Sequence, residues 1–156
     1  MGARGFTFIE LMLTLAIMAV LLLVAAPMAQ LTLQRQRESE LRLALQQIRE
    51  ALDTYKRASD QGRIAAHVGE SGYPRSLNDL VQGMPDERSP IRQRIYFLRR
   101  LPIDPFHTDL TATPADTWGL RSYNSPPDNP REGDDVFDVY SKSARVGLNG
   151  VPYKIW

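Results

Sequence analysis

Apolar and polar positions fall into three regimes along the chain. From Leu11 to Ala29 the Thr14 hydroxyl is the sole polar side-chain group. Wound as a helix, that run of about 19 residues reaches the roughly 30 Å of a bilayer core. Beyond it the pattern becomes periodic. Leu41, Leu45, Ile48, Leu52 and Tyr55 recur at spacings of four, three, four and three, while Arg42, Gln46, Gln47, Arg49, Glu50 and Asp53 fill other faces. Such spacing draws one apolar stripe that faces a core. Strong helix formers dominate from Leu33 to Ala58, and Gly62 stands past the fading pattern as a stop. The two regimes together predict one helix from about Thr7 to Ala58, roughly 80 Å long at 1.5 Å per residue. The stripe alone also suits an isolated coiled coil, but the turn-rich and strand-like sequence that follows needs a helix to pack on.

In the third regime, glycine and proline punctuate short elements between Gly62 and Pro130. Ser76 to Val81 predicts a helical turn after Pro74, capped by Ser76 with Asp79 in the reciprocal position. Ile95 to Leu98 is an apolar cluster suited to dock on the helical spine. Ser125 to Pro130 reads as a loop. Strands are expected at Leu120 to Asn124, Val136 to Ser141 and Tyr153 to Trp156. The fold class is therefore α+β: a long N-terminal helix, half transmembrane and half amphipathic, packed against a small C-terminal antiparallel sheet.

Two positions break the N-terminal pattern. Glu10 sits at the entrance of the apolar run, where a carboxylate near membrane depth costs about 3 kcal/mol and calls for a partner or a task. Pro27 lies within the expected helix, where it removes a backbone hydrogen bond and clashes with the preceding turn, so a kink or a locally melted turn is expected. Arg4, the apolar stretch and the small residues Ala25 and Ala26 also mimic a secretory signal peptide. Against that, the run exceeds the usual signal core and Pro27 falls beside any cut after Ala26. A plain single-span anchor fits the same physical features.

The segment GFTFIELMLTLAIMAVLLLVAAP is similar to the class III signal of type IV pilins and type II secretion pseudopilins. The resemblance implies that a prepilin peptidase cuts between Gly5 and Phe6 and N-methylates Phe6. It implies that Glu10 pairs with the new ammonium of a neighbouring subunit and sets filament register, a pairing that gains most in a low-dielectric bundle. Snorkelling of Glu10 to headgroups is the plain alternative. Pilin-like proteins also carry proline where Pro27 stands.

Later segments extend the likeness. Tyr73 and Pro74, the LPxDP of Leu101 to Pro105, Trp118 and Gly119, the FDVYS of Phe137 to Ser141, and terminal Trp156 resemble the major, or G-type, pseudopilins. The chain departs from that pattern twice. Extra sequence separates Asp104 and Pro105 from Trp118 and Gly119. After FDVYS the family shows an acidic, glycine-rich calcium loop, whereas here SKSARVGLNGVPYKIW contains no aspartate or glutamate, and Arg145 stands where a loop aspartate is expected. Calcium takes six to eight oxygen ligands, so the family calcium site is expected to be absent or replaced. Arg145 is expected either to bond loop carbonyls, Asp134, Asp135 or Asp138, or to lie exposed. The three aspartates remain an alternative cation site.

Charge and composition narrow the function. The chain has 156 residues, 19 lysines and arginines against 18 acids, and no cysteine. Only Arg4 and Glu10 of these charges precede Gln30, so the remainder is equally balanced, which argues against a charge-driven nucleic-acid binder. About 125 residues beyond the anchor suffice for one small domain. His67 and His107 lie far apart, and no P-loop, dinucleotide fingerprint or nucleophile elbow accompanies the serines and acids. The expectation is a non-enzymatic chain without a cofactor, divided into a leader at 1–5, a transmembrane and filament-core segment at 6–29, and a periplasmic domain at 30–156. The resemblance implies a single-pass bacterial inner-membrane protein. Its partners would be prepilin peptidase, copies of itself, minor pseudopilins and the inner-membrane assembly platform. A type IV pilus pilin or minor pilin and a non-assembling membrane-tethered binding domain are the alternatives.

Overall fold

The computed structural model describes residues 5, 7–65, 69–109 and 111–156. Helix α1 runs from Phe8 to Asp60. Its end is built as the sequence suggests: Gly62 takes a left-handed φ of 68°. The Gly62 N–H donates to the Ser59 carbonyl at 2.8 Å and the Arg63 N–H to the Ala58 carbonyl at 3.0 Å. This paired closure satisfies carbonyls that a helix end otherwise leaves open.

The chain divides into two compact units, 1–36 and 37–156. In the first, the large apolar side chains described along α1 are exposed, among them Phe8 at 79%, Leu23 at 76% and Leu33 at 59%. Among the described residues α1 is the one helix long and apolar enough to cross a membrane. Pro27 lies inside it, and the chain is helical on both sides.

The second unit has its own core. All five stripe residues, Leu41, Leu45, Ile48, Leu52 and Tyr55, are buried, joined by Ala44, Ala51 and Ala58 on the same face. Burying a leucine contributes about 2 kcal/mol, so this stripe supplies a large share of the unit's cohesion. Against it pack Leu77 and Leu80 of α2 (Leu77–Gln82), together with Trp118, Val139 and Tyr153. Ser76 caps α2, and its N–H donates to Asp79 Oδ2 at 2.9 Å. The Ile95 to Leu98 cluster docks through Phe97, whose ring centroid lies 5.1 Å from that of Tyr55.

Two small antiparallel sheets complete the unit. β1 (Met84–Pro85) pairs with β2 (Arg94–Ile95), a hairpin that the pattern of apolar residues does not announce. β3 (Trp118–Arg121) pairs with β4 (Asp138–Ser141), placing Trp118 opposite Ser141 and Gly119 opposite Tyr140. The α+β, pilin-like arrangement of a long helix on a small sheet is thus the observed one, with differences in detail. β3 begins two residues before the expected strand and ends at Arg121. β4 begins at Asp138, because the Val136 N–H is spent on the Pro74 carbonyl at 2.8 Å and Val136 itself enters the core.

The expected C-terminal strand is instead a 3-10 turn, Tyr153–Ile155. In a strand, residues three apart face opposite sides; in a 3-10 turn they eclipse. Here the turn brings the Trp156 ring edge-on to Tyr153, with centroids 5.0 Å apart, while Tyr153 stacks on Phe106 at 4.1 Å.

Candidate functional site

The head of α1 carries the residues singled out by the sequence. Gly5 is exposed, and nothing lies within 4 Å of where a Cβ would sit. Phe6 and the leader residues 1–4 lie outside the described residues. Thr7 precedes the helix, and its Oγ1 accepts from the Glu10 N–H at 3.3 Å while Glu10 Oε2 accepts from the Thr7 N–H at 3.5 Å. This is a reciprocal capping pair, in which a threonine and a glutamate three residues apart satisfy two otherwise orphaned donors. The signal T-x-x-E is legible in TFIE, but the cost of a carboxylate at membrane depth draws the reading of Glu10 away from it. A carboxylate in the first turn also meets the partial positive charge of the helix terminus. Glu10 therefore has a local anchor, and its side chain remains exposed.

Residues 1–26 match the family described as the prokaryotic N-terminal methylation motif. That motif is characteristic of pilin- and pseudopilin-like proteins. The match takes in Gly5, Phe6 and Glu10 and stops one residue before Pro27. No curated protein and no solved structure matches the chain. Thr14 Oγ1 donates back to the Leu11 carbonyl at 2.9 Å, so the one polar side chain in the apolar run is satisfied within its own helix.

In the second unit the scattered segments 73–74, 101–105, 118–119 and 137–141 converge. Trp118 Nε1 donates to the Pro102 carbonyl at 2.9 Å. Asp104, 1% exposed, accepts from Ser141 Oγ at 2.5 Å and from the Phe106 N–H at 2.8 Å. Tyr73 stands edge-on to Phe137 with centroids 5.0 Å apart. The LPxDP, WG and FDVYS segments are therefore neighbours in space, and Asp104 ties the first to the last.

Asp135 and Asp138, two of the three aspartates near β4, are committed to protein partners, while Asp134 is exposed. Asp138 Oδ1 accepts from Arg49 Nε at 2.8 Å and its Oδ2 from Arg121 Nη2 at 3.2 Å. Asp135 accepts from Ser122 Oγ at 2.5 Å and the Tyr123 N–H at 3.0 Å. Burial would raise the Asp135 carboxyl, but hydrogen bonds from Ser122, Ser71 and the Tyr123 N–H bring it below the usual carboxylate range. Arg145 reaches none of the three aspartates by a hydrogen bond or ion pair that the structure shows. Its guanidinium lies over the Phe106 ring, 5.4 Å from the centroid, and the residue is exposed. Among the described residues no three acids, histidines or cysteines gather in a way that could hold a metal ion. His107 is half-buried, and His67 lies outside the described residues.

Proposed function

We propose that this chain is a structural subunit of a type II secretion pseudopilus. In this reading a prepilin peptidase cuts after Gly5 and Phe6 is methylated. Residues 6–29 hold the subunit in the bacterial inner membrane with 30–156 in the periplasm. An inner-membrane assembly platform then draws it into a helical filament of like copies and minor pseudopilins that supports protein export across the outer membrane.

The observation that carries the reading is the methylation motif at the head of a helix whose apolar half is exposed. Each large apolar side chain is worth about 1.5–3 kcal/mol when covered. A bilayer and a bundle of like helices are both suitable covers, and a filament subunit exchanges one for the other. During that exchange the Glu10 carboxylate leaves hydrated headgroups and needs a cation, for which the methylated amine of a neighbour has the right charge and setting. Pro27 offers no N–H to the Leu23 carbonyl, so α1 bends or unwinds there at lower cost than elsewhere. The N-terminal motif serves a type IV pilin equally. The segments joined around Asp104 are what favours the secretion branch.

Mass analysis of the mature N-terminus together with crosslinking of membranes tests the reading. Wild type should begin at methylated Phe6 and form crosslinked ladders. Gly5→Ala should keep its leader and form none, whereas Glu10→Ala should be processed yet fail to assemble. An uncut wild-type N-terminus would overturn the proposal, and normal ladders from Glu10→Ala would overturn the pairing role. Deleting the chain should abolish protein secretion and leave surface pili intact; the opposite result selects the pilus.

A further inference from the structure

The resemblance to G-type pseudopilins implies calcium in the loop after Ser141, and the residues there do not fit a cation. We propose that the Glu38 carboxylate of α1 latches this C-terminal loop, in the role that the family gives to a metal. Glu38 is 5% exposed. Its Oε1 accepts from the Tyr153 hydroxyl at 2.8 Å and from the Leu148 N–H at 2.8 Å. A carboxylate so buried is costly unless hydrogen-bonded, and bonds to an ionised acceptor are about twice as strong as neutral ones.

The polarity of the loop matches a carboxylate and opposes a cation. A cation needs converging oxygens; here the loop aims a backbone N–H and a phenolic O–H at α1. Three of its own oxygens are engaged inside the loop. Asn149 Oδ1 accepts from the Val151 N–H at 3.1 Å, the Gly147 carbonyl from the Gly150 N–H at 2.9 Å, and the Val151 carbonyl from the Gly147 N–H at 2.9 Å and Trp156 Nε1 at 3.1 Å. Gly150 makes the required turn with φ of 77°. Arg145 over Phe106 adds fixed positive charge to the same loop.

Two more α1 side chains on the same face complete the hold. The Arg42 guanidinium lies 4.4 Å from the Trp156 ring centroid, and Arg49 Nη2 donates to the Trp156 carbonyl at 2.8 Å. Residues 38, 42 and 49 are spaced by four and seven, which aligns them along the helix. The latch is internal to 37–156 and does not depend on whether copies assemble.

Hydrogen exchange of the full chain in detergent micelles, followed by mass spectrometry, tests the latch. Peptides over 145–156 should be protected in wild type, with the same protection after EGTA and after added calcium. Glu38→Ala should speed exchange in that segment by about tenfold or more while peptides over 44–58 stay unchanged. Tyr153→Phe removes one hydroxyl and should give a smaller rise in the same peptides. It also answers the question should Glu38→Ala fail to fold. Faster wild-type exchange on chelation, protection restored to Glu38→Ala by calcium, or unchanged exchange in both variants would each overturn the proposal.

Discussion

Arg49 shows how single side chains join the elements of the second unit. From the middle of α1 it donates to Asp138 at 2.8 Å, to the Val139 carbonyl at 3.3 Å and to the Trp156 carbonyl at 2.8 Å. Arg49→Ala should lower stability by about 1–2 kcal/mol in urea unfolding, less than three charged bonds suggest because the side chain is partly exposed. A second ionic joint, Arg63 to Asp86 at 2.6 Å, ties the chain just beyond α1 to the β1–β2 hairpin. The hydrogen bonds from Arg63 hold the Asp86 carboxyl below its ordinary range. A carboxyl with a depressed folded value adds stability above its unfolded value, and that stability is lost as pH falls through the folded one. Stability should therefore decline as pH drops from about 5 toward 2, and Asp86→Asn should flatten that slope. Gly119 is fixed for a different reason: a Cβ there would come within 2.3 Å of the Tyr140 ring across the strand pair. Gly119→Ala should cost about 1–3 kcal/mol through overpacking, read by thermal unfolding.

At the scale of elements, local signals read well wherever one residue type settles the geometry. The stripe from Leu41 to Tyr55 predicts the buried face of α1, Gly62 its stop and Ser76 the cap of α2. Replacing Gly62 by alanine should cost about 1 kcal/mol, since the left-handed φ of 68° penalises a side chain. The C-terminal segment is illegible because Tyr153 and Trp156 are strand-forming residues whose turn is imposed by partners 47 and 115 positions away, Phe106 and Glu38. The β1–β2 hairpin escapes notice for a related reason. Its strands are two residues long and carry no alternation to detect.

At the scale of the molecule, the boundary at Gln36 and Arg37 separates an exposed apolar helix from a unit with a closed core. A chain trimmed to 37–156 should stay in solution without detergent and unfold in one cooperative transition, observed by circular dichroism and calorimetry. The full chain should partition into detergent or membrane, driven by the residues of the first unit.

The long helix, its division into apolar and amphipathic halves, and the methylation motif at its head are legible in the sequence alone. These depend on periodicity and on residues adjacent in the chain, which any reader of the sequence can align. Tertiary structure decided how Asp104 joins Ser141, how Arg49 and Glu38 grip the C-terminal turn, and why Arg145 lies on Phe106 instead of meeting the aspartates. Those contacts bridge from 37 to 115 residues, and they form because a buried carboxylate or aromatic ring must find whichever donor or face the folded core brings to it.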